Sequence, residues 1–265
     1  MDKAYRGTEL MSKYSVLVIG YGVVGQNVYK TLMQSENIDL SIYDKYTRML
    51  TNIKDHYDLA FVCVDTPATI DSVCDISEIA VAINEHDADI FVIKSTVLPK
   101  QAEFLSLLSS VKHLVFSPEY YGNTQHCNNF NFNFTILGGN HDDCIRVQQV
   151  LQSVYDGTHK FHITDVKTAI LAKYMENSYL AMKVSFCNQF FDIAEKAGVM
   201  YEELRELFIL DPRVNPSHTF VYRDHPYWDS HCLNKDVKAI ATEYGADLLF
   251  DIIKFNNHRK PKEEQ

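Results

Sequence analysis

Cys232 and Asp236 lie four residues apart in Cys232-Leu233-Asn234-Lys235-Asp236. If a helix opens here, that spacing puts thiol and carboxylate on one face, and the unpaired amides of a first turn favour a thiolate at Cys232. A thiolate of this kind suits a covalent step in catalysis. A cysteine at a helix start is also a common small packing residue, so the thiol does not carry the argument alone. Lys173 and Asn177 repeat the i,i+4 spacing, and an ammonium beside an amide N–H could hold a developing oxyanion. The plainer reading is a solvated lysine and a surface amide.

These residues follow a start that reads as nucleotide binding. Gly20-Tyr21-Gly22-Val23-Val24-Gly25 comes directly after the apolar run Ser15-Val16-Leu17-Val18-Ile19 and directly before a helical segment. In that setting the first glycine permits the tight turn, the second lets backbone approach a pyrophosphate, and the third allows helix and strand to pack closely. Asp44 stands 19 residues beyond Gly25 at the end of the next strand, where a carboxylate accepts from ribose hydroxyls. That favours NAD, although Lys45 and Arg48 are cations that could receive the 2′-phosphate of NADP. Three further segments, Thr66-Pro67, Lys94-Ser95-Thr96 and Ser117-Pro118-Glu119, each follow an apolar strand at the carboxyl end, where such sheets bind ligands.

The elements that must position these groups alternate. Strands are predicted at 15–19, 40–43, 59–64, 90–93, 114–116 and 134–137, with helices over 23–33, 76–84 and 142–155. Alternation of this kind predicts an α/β fold, a Rossmann-type doubly wound parallel sheet over residues 14–160. The pattern then becomes helical. A long helix runs from an N-cap at Asp165 through Ala197 to a stop at Gly198, and helices follow over 201–207 and 236–256, with an irregular stretch rich in Pro, His and aromatics over 211–231. Residues 161–257 therefore read as a helical central or dimerisation domain. Residues 1–13 and 258–265 read as flexible ends, the second charged, and 128–134 as a loop entering a strand.

Composition bounds the possibilities. A chain of 265 residues, 46% hydrophobic, can bury a substantial core. Its net charge of −10 argues against a surface that tracks nucleic-acid phosphates. The cysteines are scattered, without a C-x-x-C pair, which reads as a reduced cytoplasmic chain. No Cys/His spacing suits zinc, so no metal is assigned. No apolar run is long enough for a membrane span, and no signal sequence is legible at the N-terminus.

In order, Gly20-x-Gly22-x-x-Gly25, Thr66-Pro67, Lys94-Ser95-Thr96-Val97, Ser117-Pro118-Glu119, Lys173-Tyr174-x-x-Asn177, Asp211-Pro212-Arg213 and Cys232-x-x-Lys235-Asp236 resemble the UDP-glucose/GDP-mannose dehydrogenases, from about residue 14 to 257. The resemblance implies NAD-dependent oxidation of a nucleotide-sugar C6 alcohol to a carboxylate in two hydride transfers, through a thiohemiacetal and a thioester on Cys232. It implies that Lys173 and Asn177 stabilise the oxyanion, that Asp236 positions or activates water, that Glu119 handles substrate and hydrolysis, that Thr96 lies near the reacting centre, and that Arg213 contacts the sugar nucleotide. To NAD it assigns Gly20, Gly22, Val23, Val24, Gly25, Asp44, Lys45, Thr66, Pro67 and Thr96. It also implies a homodimer through the long helix at about 165–197.

The chain departs from that family in three ways. The family continues into a second α/β domain that binds much of the UDP portion, whereas this chain ends after the connecting helices, so the expectation is a truncated form, with a second chain supplying that domain or with a smaller substrate. The glycine-rich approach to the cysteine is replaced by Pro226-Tyr227-Trp228-Asp229-Ser230-His231. There Asp229 opposes a thiolate, while His231 favours it when protonated. A glutamate expected after Glu119 is Asn123, which puts the hydrolytic half in question. Two other functions fit the same residues: an NAD-binding or assembly protein without turnover, and a β-hydroxyacid dehydrogenase, which shares the Rossmann domain, helical unit and catalytic lysine but needs no cysteine.

Overall fold

The computed structural model describes residues 13–69, 73–108, 113–120 and 132–261. The chain divides into two compact units: Met1–Thr66 with Ile76–Ile170, and Pro67–Asp75 with Leu171–Gln265.

In the first unit, β1 (Tyr14–Ile19) is followed by α1 (Val23–Leu32), β2 (Ile38–Asp44), β3 (Met49–Thr51), β4 (Tyr57–Val62), α2 (Ser77–Glu85), β5 (Ala88–Ile93), α3 (Pro99–Leu108), β6 (His113–Phe116), β7 (Phe134–Gly139), α4 (His141–Leu151) and β8 (Lys160–Thr164). The strands form one sheet in the order β3-β2-β1-β4-β5-β6-β7-β8. Val16 to Ile19, Leu59 to Val62 and Ile90 to Ile93 are buried side by side, so these strands are apolar on both faces, as a sheet covered by helices requires. Val28 and Leu32 of α1 and Val147 and Leu151 of α4 complete that core. The chain leaves β1 for β2 on one side and returns to β4 on the other. This reversal opens a crevice at the carboxyl ends of β1 and β4.

The α/β reading holds, but the sheet is not wholly parallel. β3 is an antiparallel edge strand on β2, and β7 runs antiparallel to β6. Neither β3 nor β8 is among the strands expected from the sequence. β3 is only three residues long, and β8 alternates buried and exposed positions too weakly to read as a strand. α3 was also unforeseen. Its signals are Pro99 at the first helical position and Gln101, whose side chain accepts from the Leu98 N–H at 3.0 Å. The sequence-based division at 160/161 falls at the start of β8.

The second unit is helical: α5 (Val166–Ala197), most of which belongs here, α6 (Tyr201–Phe208), α7 (His231–Tyr244) and α8 (Asp247–Arg259). Asp165 caps α5, accepting from the Thr168 N–H at 3.0 Å. The single helix expected over 236–256 is two helices. Gly245, at φ +62°, takes the left-handed conformation that ends α7, and α8 begins two residues later. α7 opens at His231, so Cys232 and Asp236 share one helix as their spacing requires, and Ser230 caps it by accepting from the Leu233 N–H at 3.1 Å.

The expectation of a solvated tail from 258 is corrected for its first residues. α8 continues through Arg259, whose guanidinium forks onto Asp192 and donates to the Pro226 carbonyl at 2.7 Å, and Lys260 pairs with Asp229 at 2.8 Å. A bidentate, partly buried pair holds the chain where exposed charges alone would leave it in water. Residues 1–12, 121–131 and 262–265 lie outside the described residues, and with them fall most of the N-terminal arm, Asn123 and most of the Asn-rich segment. Among the described residues no helix is long and apolar enough to cross a membrane, and no group of His, Cys, Asp and Glu is arranged to hold a metal ion.

Candidate active-site residues

In the first unit, the three glycines of the turn meet three different constraints. Gly20 sits at φ +87°, and a Cβ there would lie 2.8 Å from the Cys63 carbonyl oxygen. At Gly25 a Cβ would lie 1.9 Å from the Gly20 carbonyl oxygen, so helix and turn can meet only over a hydrogen atom. Gly22 is the opposite case, with nothing within 4 Å of a Cβ, and it caps α1 without a side chain. The N–H groups of Val23, Val24 and Gly25 therefore begin a helix with no side-chain acceptor at its cap, beside open space. That is the arrangement a pyrophosphate fits.

Asp44 ends β2 with its carboxylate already engaged. Oδ2 accepts from the Tyr21 N–H at 2.7 Å, and Oδ1 accepts from the Thr47 and Tyr46 N–H groups and the Thr47 hydroxyl at 2.7, 3.0 and 2.9 Å. Burial alone would raise this carboxyl, but the Thr47 and Tyr21 amides and their neighbours together hold it below the usual carboxylate range. Beside it a shallow cleft is lined by Gly20, Asp44, Lys45, Tyr46, Glu78, Val81 and Glu85, among others. Lys45 does not point its charge away from protein: its Nζ lies 2.7 Å from Glu78 Oε1.

The rim segments are tied to one another. Thr66, fully buried, donates its hydroxyl to the Thr96 carbonyl at 2.9 Å, and Ser95 donates to the Val64 carbonyl at 2.6 Å. Lys94 Nζ stands 3.3 Å from Glu119 Oε2 and 3.5 Å from the Ser117 hydroxyl, with both charged side chains mostly buried. Lys94, of the motif Lys94-Ser95-Thr96, is thus a direct partner of Glu119. Cys63, beneath the turn, is pushed up to about 12 by burial, so it stays a thiol. Pro67 belongs to the second unit, where its carbonyl accepts from the Asp75 N–H at 2.7 Å.

In the second unit, Cys232 is exposed in the first turn of α7. Asp236, one turn on, is 1% exposed and accepts from the Asn177 amide at 2.7 Å through Oδ2, while Oδ1 faces Lys235 Nζ at 3.0 Å. Lys235 in turn reaches Cys74 Sγ at 3.5 Å, and Cys74 meets the Tyr174 hydroxyl at 3.7 Å. Burial opposes the charge on Lys235, but Asp236 and Cys74 outweigh it and its pKa is raised. Burial raises the Cys74 thiol despite Lys235, and holds Tyr174 well above its ordinary value. Lys173, 11% exposed at its side chain, pairs with Glu176 at 2.7 Å.

Of the residues singled out from sequence, Asn177 of α5 and Asp236 of α7 are thus in direct contact, and Cys232 lies on α7 one turn before Asp236. Arg213 is not among them. Its side chain is 87% exposed, and its guanidinium forks onto Asp211 at 3.0 and 2.5 Å. Lys235, Cys74 and Glu176 join the set only through the fold. Lys235 was visible in the motif Cys-x-x-Lys-Asp, whereas Cys74 is remote in sequence and carried no signal.

The unusual approach to Cys232 is firmly built. Tyr227 and Trp228 are buried, and Asn256 clamps the Trp228 backbone from both sides, accepting from its N–H at 2.8 Å and donating to its carbonyl at 2.9 Å. The indole N–H donates to Ser185 at 3.0 Å. Asp229, expected to oppose a thiolate, is held below the usual range by Lys260 and Asn234, so a cation balances its charge.

A glycine turn opening on an uncapped helix at the switch point of a doubly wound sheet, with a carboxylate ending the second strand, defines a dinucleotide-binding protein of the Rossmann class. The profile of the UDP-glucose/GDP-mannose dehydrogenase family, NAD binding domain, matches residues 26–159, and that of the family's central domain matches residues 167–257. The chain belongs to this family, and its cofactor is NAD. It is 26% identical to a UDP-glucose 6-dehydrogenase of Rickettsia felis, over 98% of this chain and 65% of that protein. Its fold is similar to that of a UDP-D-ManNAc dehydrogenase from Pyrococcus horikoshii, with a TM-score of 0.76 and 21% identity over 92% of this chain and 68% of that one. It is also similar to a 3-hydroxyisobutyrate dehydrogenase of Mycobacterium tuberculosis, with a TM-score of 0.66 and 14% identity over 91% of this chain and 92% of that one. Across curated relatives the chain spans 43% to 67% of their length, 52% to 67% in the matches to Rickettsia proteins.

Proposed function

We propose that the protein oxidises the C6 alcohol of a nucleotide sugar in two NAD-dependent steps, with Cys232 as the nucleophile that retains the aldehyde between them. The observation that carries this reading is the pairing of an exposed thiol in the first turn of α7 with a buried carboxylate one turn later, fixed by Asn177 and Lys235. NAD, when bound, accepts the hydride. The chain's own residues have the remaining tasks. The α7 N-terminus favours the Cys232 thiolate, which adds to the aldehyde carbon. As charge gathers on the substrate oxygen, the Lys173 ammonium and the second N–H of the Asn177 amide are the donors suited to hold it. After the second oxidation a thioester remains, and Asp236 is the carboxylate suited to orient the water that cleaves it. Glu119, Thr96 and Arg213 are assigned to substrate handling, and Gly20 to Gly25, Asp44, Lys45, Thr66 and Pro67 to the cofactor.

The test is NADH production from a panel of UDP- and GDP-sugars, with Cys232→Ser alongside. The proposal expects two NADH per sugar in the natural chain and loss of the second oxidation in the variant. Turnover through both oxidations without the thiol would overturn it. The family's C-terminal part, supplied by a second chain, belongs in the same assay.

A second reading rests on the near-complete coverage of the hydroxyacid dehydrogenase fold by this chain. Under it, a small β-hydroxy acid is oxidised and alkylation of Cys232 leaves the rate unchanged. A homodimer is part of the proposal. Leu171, Met175, Tyr179, Phe186, Phe190 and Ile193 form an exposed apolar stripe along α5, and a face of that size is expected to find a partner.

A further inference from the structure

Among the cations near the ribose position, only Lys45 lines the cleft beside Asp44, and it lies against a carboxylate from another element. Glu78, in the first turn of α2, approaches Lys45 Nζ with both oxygens, at 2.7 Å through Oε1 and 2.5 Å through Oε2. Both side chains are partly exposed and both line the cleft that ends at Gly20. Asp44, Glu78 and Glu85 therefore face that cleft against the one ammonium of Lys45.

We propose that Glu78 is a specificity-determining residue: by holding Lys45 it withholds the cation that a 2′-phosphate would need, and so sets the preference for NAD over NADP. This rests on the cofactor's adenosine end lying in the crevice at the carboxyl ends of β1 and β4. A 2′-phosphate brings close to two negative charges and needs a cation directed at it. Lys45 is the right chemistry, because a lysine ammonium on a flexible stem is a phosphate binder wherever its charge can be turned toward the ligand. With Glu78 present, that turn would break an ion pair and leave two carboxylates facing the phosphate. Asp44, held ionised by the Tyr21, Tyr46 and Thr47 donors, adds its own repulsion, but it leaves Lys45 in place and so does not by itself remove the cation a 2′-phosphate would use. Glu78 acts through Lys45, and this separates the proposal from a general charge effect.

The experiment is titration of the full-length protein with NADH and NADPH, followed by cofactor fluorescence, for the natural chain, Glu78→Gln, Glu78→Ala and the double variant Glu78→Gln/Lys45→Met. In both single variants the affinity for NADPH relative to NADH is expected to rise about tenfold, the scale of one new charge-assisted contact. In the double variant the ratio returns to within about threefold of the natural value. An unchanged ratio in a folded single variant overturns the proposal. So does a gain that survives removal of Lys45, because it would assign the effect to net charge alone. Failure of the natural chain to bind NADH overturns instead the placement of the cofactor in the crevice, which the single variants do not address. Two different removals of Glu78 keep the test open if one of them folds poorly, with thermal melting as the check.

Discussion

Asp236→Asn keeps the size of the side chain and an oxygen for the Asn177 amide, and removes only the charge opposite Lys235. Lys235 is 8% and Asp236 2% exposed at the side chain, so the ammonium would remain buried without its carboxylate, with Cys74 among its polar contacts. Breaking a buried pair by removing one partner costs about 3–5 kcal/mol, and the surviving Cys74 contact favours the lower end. At about 2–4 °C per kcal/mol for chains of this size, the loss is roughly 6–20 °C in Tm. Scanning calorimetry measures it. The double variant Lys235→Met/Asp236→Asn removes both charges, and its stability should return to within about 1 kcal/mol of the natural protein, since a buried ion pair adds little over an apolar substitute. A loss below about 1 kcal/mol in the single variant, or no recovery in the double, would refute the reasoning. The pH dependence has a definite sign. Because the Lys235 pKa is raised in the folded chain, its contribution is complete below the ordinary lysine value of about 10.4 and fades as pH climbs through the higher folded value. The natural protein should therefore lose stability in the alkaline range more steeply than the double variant.

Gly22→Ala and Gly25→Ala separate folding from cofactor binding. The first meets open space and should leave Tm within about 1 °C or raise it slightly, while weakening NAD at least about tenfold by calorimetry, because the methyl group stands where a phosphate would approach. The second drives a Cβ to 1.9 Å from the Gly20 carbonyl and should lower Tm by several degrees as well as abolish binding. Asn256→Ala removes both bonds to the Trp228 backbone and should cost about 2–4 kcal/mol in urea unfolding, with faster amide exchange through the approach to Cys232. Phe186→Glu with Phe190→Glu should convert a dimer to a monomer by light scattering; a natural chain that is already monomeric at working concentration refutes the dimer. Acid should weaken the first unit as Asp44 protonates, since its lowered pKa makes its contribution complete above the ordinary aspartate value of about 3.9 and lost as pH falls through the folded value; Asp44→Asn should flatten that part of the profile.

Much of this chain was legible before folding. Gly20, Gly22 and Gly25 between an apolar strand and a helix announced the dinucleotide turn, because only glycine meets those steric demands and the spacing is local. The same holds for the α7 thiol, where helical geometry alone relates Cys232 to Asp236 four residues later. The sequence by itself determined the alternating α/β start, the long helix and the order of reactive groups along the chain, since periodicity and capping act within a few residues. Only the tertiary structure decided which charges meet. Lys45 faces Glu78, Lys94 faces Glu119, and Asp236 lies among Asn177, Lys235 and a thiol from residue 74. It also ended one expected helix at Gly245 and drew Arg259 out of a tail and onto Asp192. Apart from the adjacent Lys235 and Asp236, those pairings join residues 25 to more than 150 positions apart, and no local rule of periodicity or propensity reports a neighbour brought by the fold.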